Sequence, residues 1–207
     1  MTGPAIQTSA RRYFDYTAPG LHPYSIREIA HSLSRICRYT GHVGDCDDPQ
    51  DDDLIYTVAQ HSVLVSDLLR RAGMPGAVQM QGLMHDASEA YTNDINSPLK
   101  SLLPDYRAIE RRVEVSLRAS FGLPWELDPT VKIADRLAMD CERMTFMGNA
   151  KEHHPRGWWA VSPAAQPLDV VWGIAESKRQ FLARYQALRA CPGADSACET
   201  TEVATLC

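Results

Sequence analysis

The sequence predicts an all-α fold, a bundle of about six main helices. Two observations carry that prediction: apolar residues recur at three- and four-residue spacings along most of the chain, and no segment alternates convincingly between apolar and polar over a strand's length. The run from Ser25 to Tyr39 places Ile26, Ile29, Leu33 and Ile36 on one stripe, with Cys37 beside it and Ser25 available as an N-cap. The second run, Asp51 to Gly73, opens with aspartates, where the helix dipole favours negative charge. It ends with Arg70, Arg71 and then Gly73 as a stop. A third helix begins after Pro75 and runs to about Tyr91. Two more, Pro104 to Gly122 and Asp128 to Gly148, are each closed by a glycine, and Leu168 to Ala190 forms the last.

These helices divide the chain into an N-terminal arm (1–24), one domain (25–190) and a tail (191–207). The tail has no apolar period and is expected to be disordered. Residues 41–53 carry six aspartates and a proline and are read as a solvated acidic loop. The chain has 207 residues, 44% hydrophobic and 23% charged, the profile of one globular domain with a sizeable core. A formal net charge of -5 gives no general reason to bind polymeric nucleic acid or an anionic membrane. The N-terminus lacks the apolar stretch of a signal peptide, and no run is long enough to span a membrane, so a cytoplasmic location is expected. The six cysteines show no metal-finger or C-x-x-C spacing and are read as free thiols.

Against this ordinary background one constellation stands out. On the second helix Leu54, Val58, His61, Val65 and Leu68 recur at alternating spacings of four and three, so His61 lies in the middle of a buried stripe. On the third, Glu89 follows His85 by four residues and Asp86 by three, which puts all three on about the same turn. Asp135 sits at the edge of the apolar face made by Val131 and Ala138. Taken singly, His61 reads as a hydrogen-bonded core histidine and Asp135 as a surface residue paired with Arg136 or Arg143. Taken together, two buried carboxylates and two imidazoles compete or repel unless a cation lies between them. A mixed nitrogen and oxygen donor set suits manganese, iron, cobalt or zinc better than calcium. Such an ion lowers the pKa of water from about 15.7 toward neutrality, making it a nucleophile.

The order His61, then His85-Asp86, then Asp135 resembles the H…HD…D pattern of the HD-domain metal-dependent phosphohydrolases. The contexts "AQHSVLV", "LMHDASEAYTNDINSPLK" and "VKIADRL" are similar to the branch of bacterial 5'-deoxynucleotidases and phage dATP triphosphohydrolases. The resemblance implies a single HD-domain bundle with His61, His85, Asp86 and Asp135 as ligands of one divalent transition metal, and a second ion such as magnesium accompanying the substrate phosphates. It further implies that Glu89 acts with the attacking water or the leaving group, that Asp94 lies near the sugar hydroxyl, and that Arg38 holds phosphate with Lys100 adding positive charge. Tyr39 stands where the deoxynucleotidases commonly carry tryptophan, and the acidic insertion before His61 is longer than in those proteins.

The activity so implied is metal-dependent hydrolysis of a 5'-deoxynucleotide, a dNMP yielding deoxynucleoside and phosphate, in a bacterial or phage-encoded homo-oligomer. The alternatives are a dNTP triphosphohydrolase that releases triphosphate, a hydrolase of guanosine tetraphosphate, and a non-catalytic nucleotide-binding module. Glu89 and Asp94 speak against the last, since neither is needed to hold a metal. His153 and His154 are read as surface or rim residues, and His31 and His42 as ambiguous. Trp125, Trp158, Trp159 and Trp172 are read as packing the last helix or a subunit interface.

Overall fold

The computed structural model describes residues 3–147 and 161–190. His153, His154, Trp158, Trp159 and the tail with Cys191, Cys198 and Cys207 lie outside them. The described chain is mostly helical, with one small two-stranded sheet. The longer helices are α1 (Ile26–Leu33), α2 (Val58–Arg71), α3 (Gly76–Met84), α6 (Pro104–Ser120), α7 (Pro129–Phe146) and α8 (Ile174–Ala190). The four-residue α4 (Glu89–Thr92) and α5 (Ser97–Lys100) lie between α3 and α6. None of the described helices is long and apolar enough to cross a membrane.

Helix α2 is the central post, packed against α3, α7 and α8. Its N-cap Thr57 accepts a hydrogen bond from the Gln60 amide, and Gly73 follows its end at φ +71°, where a side chain would be strained. One apolar cluster, including Ile29, Leu33, Val58, Leu83, Leu117 and Phe181, fills the space between α1, α2, α3, α6 and α8. A second, including Val65, Leu69, Val131 and Ala138, joins α2 to α7. Asp128 caps α7 through the Thr130 amide, and its own amide donates to Gln81 of α3, which ties the start of α7 to the helix that leads into His85.

Four helices are shorter than their periodicity predicts, and each truncation has an identifiable cause. Helix α1 stops at Leu33: the Ser34 hydroxyl and the Arg35 guanidinium both bond the His31 carbonyl, and the chain then extends. Residues 36–38 pair antiparallel with 56–58 through Arg38 N to Tyr56 O (2.9 Å) and Val58 N to Ile36 O (3.0 Å), so α2 starts only at Val58. Helix α8 starts at Ile174 because buried Gln60 takes the Trp172 amide on its oxygen and gives its side-chain N–H to the Val170 carbonyl, holding 170–172 out of the helix. The third predicted helix breaks after Met84. Residues 84–91 continue in tighter i to i+3 hydrogen bonds, such as Glu89 N to Asp86 O (3.0 Å).

The N-terminal arm contains a hairpin, β1 (Ala5–Gln7) with β2 (Tyr13–Asp15), paired Ala5 with Asp15, Ile6 with Phe14 and Gln7 with Tyr13. Tyr13 faces out and Phe14 is fully buried, stacked on Tyr91 at 4.5 Å between ring centroids. The Tyr16 hydroxyl donates to the Tyr91 carbonyl, so the arm braces α4, the helix that begins with Glu89. Trp125 is largely exposed, with the Arg111 guanidinium 5.3 Å from its ring centre. Trp172 is half-buried.

Gly82 is where α3 lies closest on α2: a Cβ there would stand 2.4 Å from Leu69 Cδ1 and 3.3 Å from Val65 Cγ1. Gly82→Val overpacks this contact and should cost about 1–3 kcal/mol. Urea unfolding of the variant checks the expectation, and an unchanged midpoint would mean that the two helices separate freely.

Candidate functional site

His61 projects from the first turn of α2 with no solvent exposure. Its Nδ1 lies 2.5 Å from Glu142 Oε1 and donates to it, which leaves the Nε2 lone pair pointing the other way. His85 stands at the break after α3, and its Nδ1 donates to the Gly82 carbonyl at 2.7 Å. That bond takes one of the carbonyls that a continuing helix would use. The two Nε2 atoms face each other across 3.3 Å.

Both carboxylates meet them there. Asp86 Oδ2 is 3.1 Å from His85 Nε2 and 3.5 Å from His61 Nε2, and Asp135 Oδ1, from α7, is 3.1 Å from His61 Nε2 and 3.7 Å from His85 Nε2. The His61, His85 and Asp86 donor atoms all lie within 4.8 Å of one another. Two donors at right angles around an ion about 2.1 Å away are separated by about 3.0 Å, so this group could hold a metal ion with little rearrangement. The donor chemistry fits as well. Burial opposes a proton on each imidazole, yet Glu142 and Asp135 hold His61, and Asp86 and Asp135 hold His85, above the ordinary histidine pKa. Asp86 and Asp135 are lowered despite their burial by the same imidazoles. The centre therefore attracts positive charge, which a divalent ion would supply in place of protons.

Arg38 enters from the paired segment 36–38. Its Nη1 lies 3.6 Å from Asp86 Oδ2 and 3.7 Å from Asp94 Oδ2, and its Nη2 lies 3.5 Å from Glu142 Oε2. Burial works against its charge, but these three carboxylates outweigh it and keep the pKa above the ordinary arginine value. Tyr39 and Thr40, which follow, both adopt left-handed φ, at +54° and +58°. This conformation takes the Tyr39 hydroxyl back to Glu142 Oε2, where it donates a hydrogen bond. On the opposite wall Asn93, at φ +71°, precedes Asp94, whose pKa burial and Asp86 raise against the pull of Arg38.

Glu89 is buried, and its Oε2 has no hydrogen-bond partner among the described residues. Burial, then Asp86 and Asp94, raise its pKa well above the ordinary value, opposite to the shift of Asp86. Lys100 senses Glu89 and Asp86, but its ammonium donates to Glu110 at 2.7 Å. His31, half-buried beside Lys178, and exposed His42 do not join the cluster. Asp45, Cys46 and Asp47 also approach one another, all exposed on the acidic loop.

Sequence reasoning missed Glu142. It lies seven residues after Asp135, two turns along the same face of α7, and that spacing is the signal that could have found it. Completely buried, it accepts from His61, Tyr56 and Tyr39; His61, then Arg38 and Tyr39, overcome burial and hold its pKa down to about 2.

A buried carboxyl with a raised pKa keeps its proton in the folded chain at pH values where the unfolded chain has released it. Stability therefore falls as pH rises above the ordinary glutamate range. Glu89→Gln removes that penalty, so the metal-free variant should melt at a higher temperature than the wild type at about pH 8. The gap should close below about pH 4. Coincident melts at the higher pH would mean that Glu89 is ionised at no cost in the folded protein.

No known family model matches the chain. Over 138 residues it is 39% identical to the uncharacterized protein YfdR of Escherichia coli K12, an alignment covering 67% of this chain and 70% of that protein. Over 130 residues it is 31% identical to an uncharacterized protein of Rhodobacter capsulatus, covering 61% of this chain and 63% of that protein. With that identity over two thirds of its own length and more than two thirds of its relative's, the chain belongs to the same family as Escherichia coli YfdR.

Proposed function

We propose that this chain is an HD-type metal-dependent phosphohydrolase acting on 5'-deoxynucleotides, with a dNMP as the favoured substrate. The observation that carries the reading is the convergence of His61 Nε2, His85 Nε2, Asp86 Oδ2 and Asp135 Oδ1 beside the buried guanidinium of Arg38. Those four side chains would hold one manganese, cobalt, iron or zinc ion. A divalent ion bound there supplies a Lewis acid for a phosphoryl oxygen and a water of lowered pKa.

The chain's own groups do the rest. Arg38 stands 3.5–3.7 Å from its three carboxylates, too far for strong hydrogen bonds, so its planar donors can turn to a phosphate. It also offsets the repulsion between an anionic substrate and the surrounding aspartates. Glu89, kept protonated by burial, can give its proton to the departing 5' oxygen, while Asp94, raised less, lies on the Arg38 side as a partner for a sugar hydroxyl. The Tyr39 hydroxyl is engaged with Glu142, which directs that residue to holding Arg38 rather than to reading the sugar. Lys100, paired with Glu110, contributes long-range positive charge.

A triphosphate substrate cut at the α phosphorus would use the same groups, with a second ion such as magnesium on the outer phosphates. Incubating the metal-loaded protein with each dNMP and each dNTP distinguishes the readings: phosphate from dNMPs is expected, and triphosphate from dNTPs is the alternative outcome. Pyrophosphate release from guanosine tetraphosphate would indicate the alarmone reaction. In parallel, Asp86→Ala should lose both bound metal by elemental analysis and all turnover, because the polyhedron loses a charged donor. Absence of any hydrolysis by the metal-loaded wild type would leave a nucleotide-binding module.

Arg38→Ala should lower kcat/KM at least about tenfold with metal content unchanged, the scale of one charge-assisted contact to phosphate. Arg38→Lys should recover only part of the loss, since an ammonium lacks the two-donor edge of guanidinium. Equal turnover in the two variants and the wild type would show that phosphate is held elsewhere.

A further inference from the structure

We infer that Glu142 is a positioning residue that couples the two halves of this site, one carboxylate oxygen orienting a metal ligand and the other orienting the anion-binding arginine. This rests on the reading of the site as a metal and phosphate centre. The division of labour is atomic. Oε1 receives His61 Nδ1 at 2.5 Å and the Tyr56 hydroxyl at 2.9 Å, while Oε2 receives the Tyr39 hydroxyl and faces Arg38 Nη2 at 3.5 Å. Glu142 has no solvent exposure, and each of these partners is a donor. Its charge is thus compensated wholly by the protein, which a buried carboxylate requires.

The Oε1 half has a chemical consequence. By taking the Nδ1 proton it fixes the tautomer of His61, keeps the Nε2 lone pair turned toward Asp86 and Asp135, and makes the imidazole more basic. Carboxylates in this position typically contribute about ten- to a hundredfold to metal affinity. The Oε2 half works on the other ligand. The Arg38 Nε is buried without a hydrogen-bond partner among the described residues, and its flexible stem would allow the guanidinium to collapse onto Asp86 or Asp94. Glu142 Oε2 pulls Nη2 the opposite way, and Tyr39, folded back by its left-handed backbone, packs its ring 5.5 Å from the guanidinium carbon.

A residue that merely holds α7 to the 36–58 bridge would change stability on substitution but not the two affinities. The test therefore reads ligand binding on the full chain: cobalt(II) titration against a competing chelator, followed by its visible absorption, and calorimetric titration of the cobalt-loaded protein with inorganic phosphate. In Glu142→Gln, cobalt affinity should fall about ten- to a hundredfold with a changed absorption spectrum, and phosphate affinity should fall about tenfold or more. Wild-type cobalt affinity with an unchanged spectrum in a folded variant would overturn the inference.

Tyr39→Phe removes only the hydroxyl on Oε2 and keeps the inference testable should Glu142→Gln fail to fold. It should weaken phosphate at least about threefold, roughly the worth of one neutral hydrogen bond, and leave cobalt binding unchanged. Unchanged phosphate affinity, or equal losses of both ligands, would overturn the division between the oxygens. Neither readout uses nucleotide turnover. Cobalt and phosphate effects as expected in a protein that hydrolyses no deoxynucleotide would sink the proposed activity and leave the role of Glu142 standing.

Discussion

Two imidazole nitrogens held 3.3 Å apart in a buried pocket, with carboxylate oxygens at 3.1 Å on either side, are the constraint around which this fold is arranged. Neither ring can turn away. His61 is pinned by Glu142 and His85 by the Gly82 carbonyl, so both lone pairs stay directed at one point. Four parts of the chain meet at that point: α2 supplies His61, the break after α3 supplies His85 and Asp86, α7 supplies Asp135 and Glu142, and the extended segment after α1 supplies Arg38. The N-terminal hairpin serves it indirectly, through Phe14 and Tyr16 on Tyr91.

The electrostatic pattern separates Asp86, Asp135 and Glu142 from Glu89, with Asp94 between them: it faces Arg38 Nη1 at 3.7 Å, yet burial raises its pKa. Asp86, Asp135 and Glu142 are each in contact with an imidazole or the guanidinium, and that contact outweighs burial and keeps them ionised. Among the described residues Glu89 has no cation that close, so burial and the neighbouring negative charges raise its pKa. Environments that push neighbouring carboxyls apart in pKa are how a single pocket provides both charge stabilisation and a proton donor. A groove of about 700 Å³ lined by His22, Tyr24, Arg111, Ser116 and Trp125 among others has none of these groups on its wall.

Much of this was legible in the sequence because helical periodicity and burial act together. His61 stood on an apolar stripe and proved fully buried, and Asp135 stood at the edge of one and proved partly exposed. What could not be read were interactions that compete with the helix from outside it. Gln60 shortens α8 from more than a hundred residues away, and the His85 ring shortens α3 by taking a backbone carbonyl. Gly173 stands directly before α8, but no glycine or proline marks the break between Met84 and Tyr91. The hairpin strands are only three residues long, below the length at which alternation can be recognised. Glu142 was hidden for a different reason: a glutamate beside an arginine on a long helix looks like a solvated pair, and only the tertiary arrival of Tyr39, Tyr56 and His61 makes it a buried anion.

The short antiparallel pairing of 36–38 with 56–58 has a consequence for how this family can vary. It clamps the two ends of the acidic loop together at Arg38 N and Tyr56 O, so the residues between them form a closed excursion that begins and ends at the same place in the bundle. The entropy of closing such an excursion grows only with the logarithm of its length, about 0.6 kcal/mol per doubling. Insertions there are thus thermodynamically cheap and do not change the register that delivers Arg38. A change in the length or charge of the loop therefore leaves the arrangement of Arg38 and the His61, His85, Asp86 and Asp135 side chains beneath it in place, which makes it the part of the chain that can change with least risk to that centre.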